Sequence, residues 1–430
     1  MFGSILAGAA FACLAAPAAA APAGADDRAI AAIRTSPAYK QAAQSLDRGH
    51  DNFVDEIVAL TEIPAPPFGE EKRGIAFRER MAALGLSDIA TDEVGNVMGL
   101  RRGTGAPGGK LVIVSAHLDT VFPAGTDVTV KREGTKLSAP GIGDDTRGLA
   151  ALLAWIGALN DGKVKTKSDI LFVATVGEEG PGDLRGVRHL FTKSAYKDRV
   201  AAFFSVDGIN PARITSAAVG SKRYRVTFKG PGGHSFGAFG IVNPMAAMAK
   251  AVTDLYQIVP PASPKTTYAA AVTGGGTSVN SIPDSVFMEF DMRSESAAEL
   301  DGLEARFLAI VDKAVAGENA ARSTRAGSVS ADKARIGNRP AGTTPADATI
   351  VRLTLAAARA QGFTPALGAS STDANIPISL DIPAITIGSG GTGDRAHAPD
   401  EYIDVERTES VRGLNVGLLA ILAVAGLDKR

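Results

Sequence analysis

Apolar residues along the chain fall into two textures. In the first they form short continuous runs, "KLVIVSAHLD", "DILFVATVGEE", "AAFFSVDG" and "IPAITIGSGG", separated by helical stretches such as "GLAALLAWIGAL". Val/Ile-rich runs alternating with helices predict an α/β domain with a mostly parallel sheet. Before it lie a polar, helix-prone lead-in and a segment in which helical periodicity is broken by prolines, "TEIPAPPFGEE".

Between residues 216 and 331 the second texture appears. "SKRYRVTFKG" alternates like a half-exposed strand, "NPMAAMAKAVTDLYQIV" is helical, "TTYAAAV" and "SVFMEFDMRS" are strands, "AAELDGLEARFLAIVDKAV" is a second helix, and "RSTRAGSVSA" reads as a last strand. The order β-α-β-β-α-β predicts a small ferredoxin-like α+β sandwich inserted into the larger domain. The expected organisation is a processed segment at 1–21, a larger α/β domain at 22–215 and 332–430, and an insert at 216–331.

Composition narrows the picture. The 430 residues are 45% apolar, enough for two cores, and 45 basic residues against 46 acidic leave no electrostatic footprint for nucleic acid or an anionic membrane. The start, "MFGSILAGAAFACLAAPAAAAPAG", is an apolar stretch followed by small residues, which predicts a secretory signal peptide cut near Ala21 and an exported, periplasmic or secreted protein. It lacks the usual Lys or Arg before the apolar run, and it is short and alanine-rich for a membrane anchor. Cys13 is the only cysteine, and its preceding residues match a lipid-attachment pattern poorly. A metal site in the mature chain must therefore be built from His, Asp and Glu.

Open α/β sheets place their chemistry outside the carboxyl ends of the strands. Those positions hold His117 and Asp119, Asp144 and Asp145 before a helix, Glu178 and Glu179, Asp207, and His397. Bare, so many carboxylates would repel one another. Around divalent cations the repulsion becomes coordination, with one glutamate of the pair binding metal and the other handling a proton.

These motifs (H-x-D after a strand, G-x-D-D before a helix, E-E-G, a later Asp, an inserted domain and a final His) resemble the family of two-zinc exopeptidases and amide hydrolases. That family includes tripeptide aminopeptidase, carboxypeptidase G and succinyl-diaminopimelate desuccinylase. The resemblance implies His117, Asp144 and Asp207 around one metal and Asp144, Glu179 and His397 around the other, with Asp144 bridging and a cis bond between Asp144 and Asp145. It implies Glu178 as the proton carrier, and Asp119 fits a supporting carboxylate that fixes the His117 tautomer.

In the insert, the resemblance implies that His234, in "KGPGGHSFG", reaches toward the oxyanion from the partner subunit of a homodimer. It implies that Asn280 and Arg293 grip substrate polar atoms and a carboxylate. His50 and His189 follow no strand in this pattern and read as structural or solvated. The expected activity is hydrolysis of peptide-type amide bonds, preferentially as an exopeptidase on short peptides. An N-acyl-amino-acid deacylase or carboxypeptidase acting through Arg293 is the alternative. A catalytically silent relative would be expected to lack a ligand or Glu178, and this chain lacks none. Imidazole and carboxylate ligands suit two zinc ions, with cobalt or manganese also compatible.

Overall fold

The structure is a computed structural model that describes residues 24–428; the signal segment expected at 1–21, its expected cleavage near Ala21, and Cys13 lie outside the described residues. The larger domain is built on a nine-stranded sheet. Its spatial order is Ser87–Thr91, Val97–Arg101, Asp169–Thr175, Leu111–His117, Val200–Val206, Ala384–Ile387, Arg213–Ala218 and Gly342–Thr343, with Ala366–Ser370 also paired to Arg213–Ala218. The four strands from Asp169–Thr175 to Ala384–Ile387 run parallel, flanked by antiparallel neighbours. All seven residues of Leu111–His117 are buried, which explains why this strand reads as an unbroken apolar run.

One face of the sheet is covered by Arg147–Asp161, Thr349–Ala360, Arg407–Ala425 and the N-terminal helices, which share one large apolar core. Trp155, fully buried, donates its indole N–H to the Leu414 carbonyl at 2.9 Å and ties two of these helices together. Arg407–Ala425 has the length and apolarity of a membrane span, but 67% of its apolar window is buried within this core. The helix Arg185–Thr192 packs against the other face.

The insert has its own sheet and core. Thr266–Gly275, Ser285–Ser294, Gly220–Lys229 and Ser330–Arg339 form a four-stranded antiparallel sheet in that order, covered by Pro244–Leu255 and Ala297–Ala321. The β-α-β-β-α-β order expected from the sequence is present, with one correction. The last strand is not "RSTRAGSVSA" but Ser330–Arg339, which pairs antiparallel with Gly220–Lys229. It is the edge strand of the sheet, most of its residues are exposed, and it carries four charged residues and one large apolar one, Ile336, so it shows little apolar signal.

Candidate metal centre

The carboxyl ends of the four parallel strands converge. His117 is the last residue of its strand, paired with Thr175 of the neighbour, and three residues further along that neighbour chain come Glu178 and Glu179. Asp207 follows Val200–Val206, its N–H donating to the Ile387 carbonyl at 3.0 Å. Asp144 lies in the irregular turn Ile142–Thr146 that leads into Arg147–Asp161, and the Asp144–Asp145 bond is cis, as expected. His397 comes from farther away, from the loop between Thr392–Asp394 and Tyr402–Asp404.

Asp144 sits between two imidazoles. Its Oδ1 is 2.9 Å from His117 Nε2 and its Oδ2 is 3.1 Å from His397 Nε2. Glu179 Oε1 is also 3.1 Å from His397 Nε2. Donor atoms of His117, Asp144 and Asp207 lie within 4.8 Å of one another, as do those of Asp144, Glu179 and His397. These two triads share Asp144, and their all N/O, sulfur-free donor sets fit a pair of divalent ions. A third grouping within the same limit, His117, Glu178 and Glu179, makes Glu178 a competing ligand. Its surroundings argue against that role. Glu178 Oε1 is already paired with Arg339 Nη1 at 3.1 Å, whereas Glu179 Oε1 pairs with the imidazole of His397.

Electrostatics carry the signature of a cation site. Burial alone would lower the His117 pKa, yet Asp144, Asp145 and Asp119 hold it well above the ordinary value. Bonds to Asp144 and Glu179 raise His397 to about 10. Burial opposes ionisation of Asp144, but the two imidazoles keep its pKa below the ordinary carboxylate range. Burial, reinforced by Asp144, pushes Asp207 up to about 7, and burial drives Glu178 well up despite Arg339. In the metal-free protein, protonated imidazoles supply the positive charge that these carboxylates demand.

Neighbouring groups hold the ligands in place. Asp119 does so differently from the expected role. His117 Nδ1 faces the Asp119 backbone carbonyl at 3.0 Å, while the Asp119 carboxylate is 3.7 Å away and instead accepts the N–H groups of Glu178 at 3.0 Å and Glu179 at 2.8 Å. The main-chain carbonyl thus sets the tautomer, and the carboxylate builds the glutamate turn. Asp145 accepts the His117 N–H at 3.0 Å. Gly148 makes room for it, since a Cβ there would lie 2.1 Å from Asp145 Oδ1.

Three supporting residues went unnoticed in the sequence. Glu401 accepts N–H groups from Gly141, Gly143 and Asp144 at 2.8, 2.7 and 2.8 Å, so it shapes the bridging turn. Its place in "HAPDEY", four residues after His397, was the available signal. Asp373 is buried and accepts from Thr175 Oγ1 at 2.6 Å. Arg339, at the end of the insert's last strand, contacts Glu178.

The insert residues divide. Arg293 lines a cavity of about 420 Å³ together with Asp144, Glu178, Glu179, Asp207, His397, Arg223 and Arg339. A second cavity of about 370 Å³ shares Asp144, Asp207 and Ser370 with it, so the cleft extends to both sides of the two aspartates. His234 and Asn280 are not among the lining residues of either. They meet in a separate exposed corner, where Ser235 N–H donates to the Asn280 carbonyl at 2.9 Å and the His234 ring accepts from Phe236 N–H at 3.2 Å. His50 is buried at a helix start, and His189 lies near Asp92 and Glu93, both away from the centre.

Comparison with known proteins bears on the family and the fold. The sequence pattern of peptidase family M20/M25/M40 matches residues 113–421. A succinyl-diaminopimelate desuccinylase of Burkholderia ambifaria is 29% identical over 254 residues, a match that spans 55% of this chain and 66% of the relative's length. Among solved structures, aminopeptidase PepT of Bacillus cereus superposes with a TM-score of 0.69 at 20% identity, covering 87% of this chain and 99% of that one. The Bacillus subtilis YXEP protein, a dinuclear metal binding peptidase, gives 0.62 at 17% identity, covering 87% and 98%.

Proposed function

Because the chain belongs to peptidase family M20/M25/M40, we propose that it is an exported two-metal hydrolase of peptide-type amide bonds, working as an exopeptidase on short peptides. One observation carries the reading: Asp144 lies between two imidazoles, at 2.9 and 3.1 Å, where two His/carboxylate triads meet at the sheet edge. His117, Asp144 and Asp207 would hold one ion, and Asp144, Glu179 and His397 the other. Zinc suits these donors, with cobalt and manganese as alternatives. When bound, such ions lower the pKa of water from about 15.7 to about 7 and polarise the scissile carbonyl.

The chain's own residues do the rest. Glu178 takes the proton of the attacking water at its carboxylate and returns it to the leaving nitrogen. Asp119 fixes the backbone on which Glu178 stands, and burial of the strand ends keeps bulk water from competing. Arg293, which lines the cleft, is proposed to bind substrate polar atoms. His234, exposed in its own subunit, is proposed to act across a homodimer formed along the free edge of Thr266–Gly275, an exposed strand of the kind that pairs readily.

A second reading, an N-acyl-amino-acid deacylase or carboxypeptidase, is favoured by one feature. Arg223 and Arg293 share Asp291, at 3.0 and 2.7 Å, and both face the cavity, as a site for a terminal carboxylate would. The zinc-loaded protein should be assayed on di- and tripeptides blocked at either end and on N-acyl amino acids. Cleavage that needs a free amino terminus supports the aminopeptidase form, and cleavage that needs a free carboxylate supports the second reading. Silence on the whole panel with two ions bound would sink both. Scattering showing a fully active monomer would remove the trans role of His234. A native N-terminus that still carries residues 1–20 would remove export.

A further inference from the structure

The insert joins the catalytic domain through the ingoing strand Gly220–Lys229 and the outgoing strand Ser330–Arg339, which pair at their roots, Ser221 opposite Arg339. From both roots, contacts fall on the segment that begins with Glu178. Arg223 Nη1 donates to the Gly180 carbonyl at 3.2 Å. The Asn338 N–H donates to the Asp183 carboxylate at 3.0 and 3.1 Å, and Arg188 Nη2 donates to the Asn338 carbonyl at 2.9 Å. Arg339 completes the set. Its Nη1 donates to Glu178 Oε1 and to Ser371 Oγ, both at 3.1 Å, and its Nη2 donates to the backbone carbonyl of Glu178.

We infer that Arg339 is a positioning residue, which fixes the side chain and backbone of Glu178 from the root of the inserted domain; this rests on the hydrolase reading, in which Glu178 moves the proton. The planar guanidinium fork can hold a carboxylate oxygen and the main-chain carbonyl of one residue at once, which a lysine ammonium cannot match in geometry. It takes Oε1 and leaves Oε2 for the proton. A glutamate side chain otherwise samples several rotamers, and a proton carrier must lie within hydrogen-bond reach of its target. Arg339 is unsuited to anchoring substrate. It is only 4% exposed, and its two terminal nitrogens are already occupied by protein acceptors. Arg223 and Arg293, joined through Asp291, are the insert's cavity-lining guanidiniums that remain for that task.

The test compares wild type, Arg339→Met, Arg339→Lys, Glu178→Gln and the Arg339→Met/Glu178→Gln double variant, each loaded with zinc. Metal stoichiometry, kcat, KM and hydrogen exchange across residues 176–184 are measured. Loss of Arg339 should lower kcat by about 10–100-fold, the cost of misplacing a reacting group, with KM changed by less than about threefold and two ions retained. Exchange at 176–184 should quicken in both single Arg339 variants, and lysine should recover little. In the Glu178→Gln background, removing Arg339 should cost almost nothing further, because the two act as a unit. A rise in KM at unchanged kcat, or an additive loss in the double variant, would overturn the inference in favour of substrate anchoring or separate action. If Arg339→Met fails to fold, Arg339→Lys decides: full kcat with normal exchange overturns it. Should wild type hydrolyse nothing, the hydrolase reading fails separately. The exchange measurement then still judges the clamp, and unchanged exchange rejects it.

Discussion

Glu178 and Glu179 are chain neighbours in opposite surroundings. One carboxylate is held by a guanidinium at 3.1 Å, the other by an imidazole that also contacts Asp144. Their substitutions should fail differently. Glu178→Gln keeps shape but cannot take a proton, so kcat should fall by about 10²–10⁴ while both ions stay bound. Glu179→Gln replaces a charged donor with a weak neutral one, so one ion should be lost and excess zinc should restore part of the rate. Metal analysis beside steady-state kinetics separates them, and loss of metal from the Glu178 variant alone would reverse the assignment. Asp144→Ala should be the most damaging change at the centre, because this residue belongs to both triads.

At the scale of elements, the site depends on irregular turns grafted onto regular strands. The turn Ile142–Thr146 and the Gly141 that precedes it present three N–H groups to one carboxylate, that of Glu401, which comes from the loop that also carries His397. Removing that acceptor leaves the amides without partners and frees the bridging aspartate to move. Glu401→Ala should therefore weaken metal binding by about 10–100-fold, as loss of a supporting group around a metal does. Titration with a chelating competitor measures this, and unchanged affinity would show that the turn holds itself. Gly148→Ala should destabilise the fold by about 1–3 kcal/mol, since the new methyl would meet the Asp145 carboxylate at 2.1 Å. Chemical denaturation reads that directly.

For the whole molecule, the centre governs how stability depends on pH. In the metal-free chain, burial raises Asp119 to about 6 and Asp207 and Glu401 to about 7, against ordinary values of 3.8, 3.8 and 4.5. Between those ordinary values and the raised ones, the folded state binds more protons than the unfolded state, so stability falls as pH rises. His397, raised to about 10 from 6.5, works in the same sense: its contribution is complete below 6.5 and is lost as pH climbs through 10. Asp144 has the opposite sign, because its lowered pKa stabilises above 3.8 and that gain fades in stronger acid. The melting temperature of chelator-treated protein should decline from about pH 5 to pH 9, while zinc-loaded protein holds up, because ligand protons must leave before the ions bind. Calorimetry with and without zinc checks both, and a metal-free melting temperature that rises over this range would contradict the burial of these groups.

The residues at the strand ends were legible because of how a parallel sheet is built. A strand buried on both faces is a continuous, mostly apolar run, so His117, Glu178, Glu179 and Asp207 stand out as the titratable groups where such runs end. The alternation of the insert likewise revealed three of its four strands and both helices, while Ser330–Arg339, a charged edge strand, is defined by its pairing with Gly220–Lys229. Only tertiary structure could bring Arg339 to Glu178 across 161 positions, or Glu401 to the Asp144 amide across 257. It also turned the Asp119 carboxylate from the imidazole to the glutamate turn. Periodicity records which face of an element is buried, whereas a hydrogen-bond partner is chosen by how distant elements pack, and that choice leaves no local pattern in the chain.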